Sequence, residues 1–256
     1  MTDQQFRNLL DSFHPISLEE MDSVRLMNRQ DTKFVLSHEQ LLSILKDISS
    51  DYRILEINGQ RLLSYSSVYF DENDLSFYRD HHRGKVDRFK VRLRKYLNSN
   101  LTFLEVKHKN KGRTDKSRIV VDDIHDNLDQ NELEFIHSTG LHFGELEAVL
   151  SNSFDRITLV NMDLQERLTI DVNLCFQKDN RIKDLQGIVI AELKQEKISR
   201  NSPFYALMKK SMIRPYRISK YCIGVIELLG KENIKYNAFK KKLLRIDKLK
   251  QNSNAA

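Results

Sequence analysis

The chain has 256 residues, 40% hydrophobic and 30% charged, and its 42 basic against 36 acidic side chains leave a formal charge of +6. That apolar content supports a sizeable core, and the mild basic excess favours anionic ligands. No run of 18 apolar residues could span a bilayer, and the first twenty residues lack the basic start and apolar stretch of a secretory leader.

The opening residues, 1–27, read as an amphipathic lead-in with Phe6, Leu9, Leu10 and Phe13 at helical spacing. RQDTKFVL (29–36) then alternates as a strand, and Ser37 with Gln40 forms a capping box for a helix that points Leu41, Leu42, Ile44, Leu45 and Ile48 inward. LLSYSSVYFD (62–71) has the β-branched and aromatic content of a strand. His81 and His82 read as part of a surface loop, without the further ligands that zinc needs. RFKVRLRKY (88–96) and LTFLEVKHK (101–109) flank the turn-rich NSN and predict a hairpin, with a further strand at KSRIVV (116–121).

Residues 123–152 read as helical, broken at Gly140. Strands return at RITLV (156–160), ERLTIDVNLCF (166–176) and GIVIAELKQ (187–195). Ser202 and Pro203 are placed as N-cap and first residue of a helix. A basic helix over 237–250 precedes a frayed QNSNAA. Seven or eight strands against four or five helices, rich in hairpins, argue for an antiparallel sheet over a doubly wound parallel one. Cys175 and Cys222 have no metal or redox spacing and read as buried thiols of an intracellular protein. Three prolines, eight glycines and no low-complexity linker point to a single domain.

The charges repeat one layout from strand to strand. Side chains alternate along a strand, so Phe89, Val91 and Leu93 oppose Arg88, Lys90, Arg92 and Arg94. Glu105, Lys107 and Lys109 share a face, as do Lys116 with Arg118, Arg156 with Thr158, Arg167 with Thr169 and Asp171, Glu192 with Lys194, and Asp31 with Lys33. One reading is the wet face of an antiparallel sheet. The other is a sheet closed into a barrel, helices covering its apolar outside, whose charged interior repels itself until a polyanion fills it. Phosphate suits clustered guanidinium groups. Glu105, Glu192 and Asp171 are too few to neutralise such a lining, and they are hard oxygen ligands for Mg²⁺ or Mn²⁺ bound together with phosphates. Phe89 lies opposite the arginines, and no stacking platform for nucleic acid is evident. The C-terminal basic helix reads either as packed on its own sheet or as touching an acidic membrane surface.

The segments RQDTKFVL, VYFDENDLSFYRDHHRGKVDRFKVRLRKY, FLEVKHK, DRITLV, ERLTIDVNL, AELKQ and RISKYCIG, in that order, resemble the VTC domain, the polyphosphate polymerase catalytic domain of the triphosphate tunnel metalloenzyme (CYTH-like) superfamily. The resemblance runs from about residue 24 to residue 228. It implies an α+β fold, a closed antiparallel β-barrel with helices packed outside, occupying 24–230 between a helical lead-in (1–23) and a basic C-terminal helix and tail (231–256). It also implies an enzyme that transfers the ATP γ-phosphate to polyphosphate with a divalent metal, often manganese, and releases ADP.

By the same resemblance, Lys33, Arg92, Arg94, Lys107, Arg156, Arg167, Lys194 and Lys220 are catalytic. Arg92, Arg94, Lys107, Lys116 and Ser219 bind the nucleotide, Glu192 (with Glu105) holds the metal, and Ser219–Lys220 belongs to a closing strand. Where tunnel triphosphatases begin with E-x-E-x-K, this chain has Arg29, Asp31 and Lys33, which favours the polymerase branch. A triphosphatase acting on ATP, tripolyphosphate or an RNA 5′ end is the alternative, and a non-catalytic polyphosphate- or nucleotide-binding module a further one. The expected ligands are ATP and polyphosphate, without nucleic acid. Eukaryotic members carry a phosphate-sensing helical domain and membrane segments absent here, so the expected setting is the cytoplasm or the cytoplasmic face of a membrane, with room for a separate membrane partner.

Overall fold

The structure, a computed structural model, describes residues 3–21, 29–111, 113–199 and 201–254. In chain order the elements are α1 (Asp3–Asp11), β1 (His14–Ile16), α2 (Leu18–Met21), β2 (Gln30–Ser37), α3 (His38–Ile48), β3 (Arg53–Leu55), β4 (Leu63–Glu72), α4 (Ser76–Arg83), β5 (Arg88–Tyr96), β6 (Leu101–Asn110), β7 (Arg113–Val121), α5 (Gln130–Ser138), β8 (Leu146–Asn161), β9 (Glu166–Lys178), β10 (Arg181–Asp184), β11 (Ile188–Gln195), α6 (Pro203–Lys210), α7 (Lys220–Leu229) and α8 (Lys240–Asn254).

All eleven strands form one sheet whose main path is β2-β11-β9-β8-β4-β5-β6-β7, antiparallel throughout, with β1 and β3 paired in parallel beside β8 and β10 on β9. The expected closed barrel is not what forms. The sheet curls through 190° into an open half-barrel whose edges stay 9 Å apart. That gap is about twice the 4.7–4.9 Å spacing of hydrogen-bonded strands, so β2 and β7 do not pair.

Alternation sends apolar side chains to the convex face, where helices cover them. Val91, Leu93, Leu104 and Val106 pack beneath Phe77 of α4 and Ile136 of α5. Phe34, Leu36, Leu168, Ile170, Ala191 and Leu193 pack beneath α1, α3 and α6. Each such side chain removed from water stabilises the fold by about 1.5–3 kcal/mol. The concave face is shared: α7 packs on Leu150 and Phe176, α8 packs on β2 and β11, and a cavity occupies the open part. The capping box at Ser37–Gln40 and the Ser202 cap with Pro203 at the helix start are both present.

Several local expectations are corrected. The helical reading of 123–152 holds only for α5, because β8 begins at Leu146, its helix-forming residues overridden by ten paired positions on β4. His81 and His82 lie on α4, not in a loop, and His82 Nε2 meets Asn237 Oδ1 at 2.7 Å. Ser219 and Lys220 are the N-cap and first residue of α7 rather than part of a strand, and α8 continues to Asn254 where fraying was expected. The lead-in contains α1 and α2; its residues 22–27 lie outside the described residues.

Candidate phosphate-binding cavity

The open part of the concave face is a cavity of about 680 Å³. Twelve lysine and arginine side chains line it against three carboxylates, Asp31, Asp171 and Glu192. Lys33, Arg92, Arg94, Lys107, Lys116, Arg156, Arg167, Lys194, Ser219, Lys220 and Glu192 all stand on this wall, drawn from seven strands and the start of α7. Glu105 does not; it is fully buried beneath the wall.

Strand register sets the order. Lys90, Lys107 and Lys116 lie directly opposite one another across β5, β6 and β7, a row of three like charges. The next row reads Tyr69, Arg92, Glu105, Arg118, and the one after it Ser67, Arg94, Phe103, Val120. Tyr65, Tyr96 and Leu101 form the last. Like charges directly opposite destabilise a sheet, so the lysine row is held together by the rest of the fold.

Three carboxylates each hold two cations. Glu105 accepts from Arg92 Nε at 2.8 Å and Nη2 at 2.6 Å and pairs with Lys116. Asp171 accepts Arg156 in a fork, 2.6 and 2.9 Å, and Lys220 Nζ at 2.5 Å. Glu192 sits between Lys33 and Lys194, the latter at 3.0 Å. Burial alone would raise all three carboxyls, but the surrounding cations hold them well below the usual carboxylate range.

Other cations have no such partner. Among the described residues no carboxylate comes within ion-pair distance of Lys90, Arg94 or Lys107. Lys90 Nζ donates to Ser219 Oγ at 3.0 Å, and Arg94 Nε to Ser67 Oγ at 3.2 Å. Burial pushes Lys90 down to about 8, and Arg92 together with burial takes Lys107 well below the ordinary lysine value. Lys220 is also pushed well down by burial, against the pull of Asp171. A wall with this surplus is built for an anion carrying several charges.

Among the described residues no three His, Cys, Asp or Glu side chains converge on a point. Glu192, on the wall, fits an arrangement in which Mg²⁺ or Mn²⁺ is held by one carboxylate and by phosphate oxygens. Glu105, fully buried, pairs with Arg92 and Lys116.

The wall also carries residues beyond those singled out for the site. Tyr69 accepts from Arg92 at 3.2 Å and stacks on Tyr221, whose hydroxyl donates to the buried Asp71. Tyr65 lies beside Arg94 and Arg156. Their signal was available: Tyr65, Ser67 and Tyr69 share one parity on β4, the strand next to the arginines. Phe89, placed opposite the arginines, stacks on His108 with centroids 4.0 Å apart.

None of the curated proteins compared matches the chain. Among solved structures, a candidate adenylate cyclase from Vibrio parahaemolyticus is 12% identical, with 78% of this chain and 99% of that one covered at a TM-score of 0.46. A candidate adenylyl cyclase from Hippeastrum with a dominant triphosphatase activity is 14% identical, with 77% and 95% covered at a TM-score of 0.48. A conserved hypothetical protein from Pyrococcus furiosus is 12% identical, with 76% and 99% covered at a TM-score of 0.42. The VTC domain model matches residues 28–229, most of the chain and every residue of the cavity wall except Leu18 and Met21, and the chain therefore belongs to the VTC domain family.

Proposed function

We propose that the cavity is a phosphoryl-transfer site that moves the terminal phosphoryl group of ATP onto polyphosphate and releases ADP. The observation that carries this is the unneutralised cationic wall, above all Lys90, Arg94 and Lys107, together with membership of the VTC domain family. Arg92 and Arg156, each locked by a carboxylate, present guanidinium groups in fixed orientation, and Arg94 and Lys107 add charge that needs no reorganisation when negative charge develops on the transferred group. The attacking group is a terminal phosphate oxygen of the acceptor. Its bond to the γ-phosphorus forms as the bond from that phosphorus to the β–γ bridging oxygen breaks, and ADP leaves with the electron pair.

No general base is required, since a terminal phosphate is already ionised near neutral pH. This agrees with a wall whose carboxylates are occupied by cations. A divalent cation at Glu192 would neutralise charge on the transferred group. The protein would act in the cytoplasm or at the cytoplasmic face of a membrane; among the described residues no helix is long and apolar enough to cross one.

The open rim between β2 and β7 favours a second reading, hydrolysis, because it lets water reach the same phosphorus. The two are separated by incubating the protein with ATP and Mn²⁺, with and without a short polyphosphate primer, and following ³¹P NMR. Growth of the internal-phosphate signal with ADP, reduced about 100-fold in Arg94→Ala, is the expected result. Orthophosphate without chains would make the protein a triphosphatase, and binding without turnover a non-catalytic module.

A further inference from the structure

Asp71, near the end of β4, is fully buried and stands off the cavity wall. Its carboxylate accepts four hydrogen bonds. Three come from the backbone N–H groups of Glu72, Phe77 and Tyr78, at 2.8, 2.8 and 2.9 Å, and the fourth from the hydroxyl of Tyr221. The first three have a local purpose. Leu75, at the N-cap of α4, has a φ of 58° and no side-chain bond to offer, so Asp71 caps that helix in its place. The partial positive charge of the helix end suits a carboxylate there.

The fourth bond does nothing for α4. It crosses to α7, to a side chain on the cavity wall. The start of α7 brings three consecutive side chains to that wall, each against a different strand. Ser219 Oγ accepts from Lys90 of β5 at 3.0 Å, Lys220 donates to Asp171 of β9 at 2.5 Å, and Tyr221 stacks on Tyr69 of β4 with centroids 5.2 Å apart. Tyr69 in turn accepts from Arg92 at 3.2 Å. Lysine stems are flexible and stacked rings tolerate offset, so those contacts hold the turn loosely. A charge-assisted bond to an enclosed carboxylate holds it in one place. We propose that Asp71 is a positioning residue of the phosphoryl-transfer site: through Tyr221 it fixes the first turn of α7, and with it Ser219 and Lys220, against the cationic wall. The inference rests on the reading of the cavity as a phosphoryl-transfer site and adds to it a residue that no substrate touches. Without the bond α7 stays docked where Gly224 meets Phe176, while its first turn drifts from the wall.

The test compares wild type, Tyr221→Phe, Asp71→Asn and the double variant by calorimetric titration with inorganic tripolyphosphate and by turnover of ATP with primer. Tyr52→Phe is the control. Tyr52 is as buried as Tyr221 and donates to the fully buried Glu166, but it belongs to the convex-side core and stands off the wall. Tyr221→Phe keeps the ring on Tyr69. It should weaken tripolyphosphate about tenfold, within the range by which residues of one hydrogen-bond network couple, and lower kcat about as far. Asp71→Asn removes the charge on which the bond depends and should do the same, and the double variant should be no worse than either. Tyr52→Phe should lower the melting temperature without moving the affinity. A folded Tyr221→Phe with wild-type affinity, losses that multiply in the double variant, or an equal loss in Tyr52→Phe overturns the inference. Should Asp71→Asn lose the cap on α4 and fail to fold, Tyr221→Phe against Tyr52→Phe decides. Wild type that binds tripolyphosphate but forms no ADP, with the variants weakened as expected, would sink the phosphoryl-transfer reading and leave Asp71 positioning an anion site.

Discussion

Glu105 on β6 holds a cation from each neighbouring strand, Arg92 of β5 and Lys116 of β7. It has no exposed surface, and it stands directly opposite both Arg92 and Arg118. Replacing it with Gln keeps the shape and a hydrogen bond to Arg92 but leaves Arg92 and Lys116 without their buried counter-charge. Breaking a buried pair costs about 3–5 kcal/mol, so Glu105→Gln should lower the unfolding free energy read from urea titration by that order. Glu192→Gln, at a carboxylate open to the cavity, should weaken the dependence of turnover on metal while costing less stability. Denaturation curves for both variants, with turnover across a Mn²⁺ titration, check the division of labour. The two glutamates have the same spacing to a lysine two residues on, Glu105–Lys107 and Glu192–Lys194, and nothing in that pattern separates a counter-ion from a ligand. What differs between them is burial, Glu105 being fully enclosed and Glu192 lying on the cavity wall, and burial is set by strands far away in the chain.

At the scale of elements, α7 takes up part of the concave face beside the cavity. Its Gly224 faces Phe176 so closely that a Cβ would lie 2.6 Å from the ring and 3.1 Å from Leu150. Gly224→Ala should therefore cost about 1–3 kcal/mol by overpacking. Because Ser219, Lys220 and Tyr221 ride on the same helix at the cavity wall, the variant should also raise KM for ATP; thermal melts and steady-state kinetics read the two effects. Neither α7 nor its place on the concave face was legible, since RISKYCIG alternates poorly and its glycine argues against a helix. The strands were legible where one face is charged and the other apolar: β5, β6, β9 and β11 all carry that period-two signature. The first half of β8 was not, because Leu-Glu-Ala-Val-Leu favours a helix and only pairing with β4 overrules it. Closure was misjudged for a related reason. Whether β2 meets β7 depends on curvature summed over every strand between them, and no local pattern records a sum.

For the whole molecule, the ligand-free cavity is a cluster of buried charge, and its cost depends on pH. Lys90 titrates near 8 in the fold against an ordinary 10.5, and Lys107 and Lys220 are displaced in the same direction. Above the folded value the unfolded chain binds more protons than the native one, so stability rises with pH there. The ligand-free protein should thus melt higher at pH 9 than at pH 7. Tripolyphosphate at a hundredfold excess over its Kd should add about 2.7 kcal/mol at pH 7 and less at pH 9, as the lysines it pairs with lose their protons. Melting curves at both pH values, with and without the anion, test this; a ligand-induced shift that grows with pH would contradict it.

The 9 Å separation between the edges has a topological consequence. A ring must be threaded by a chain end, and what it holds can leave only by sliding lengthwise. A trough with a slit along its side is a clip: a long polymer can be laid in at any point of its contour and lifted out again without an end being found. On the proposed reading, residence on polyphosphate would be governed by how many cations grip it at once rather than by encirclement, and raising the salt concentration should loosen the clip where it would leave a threaded ring in place.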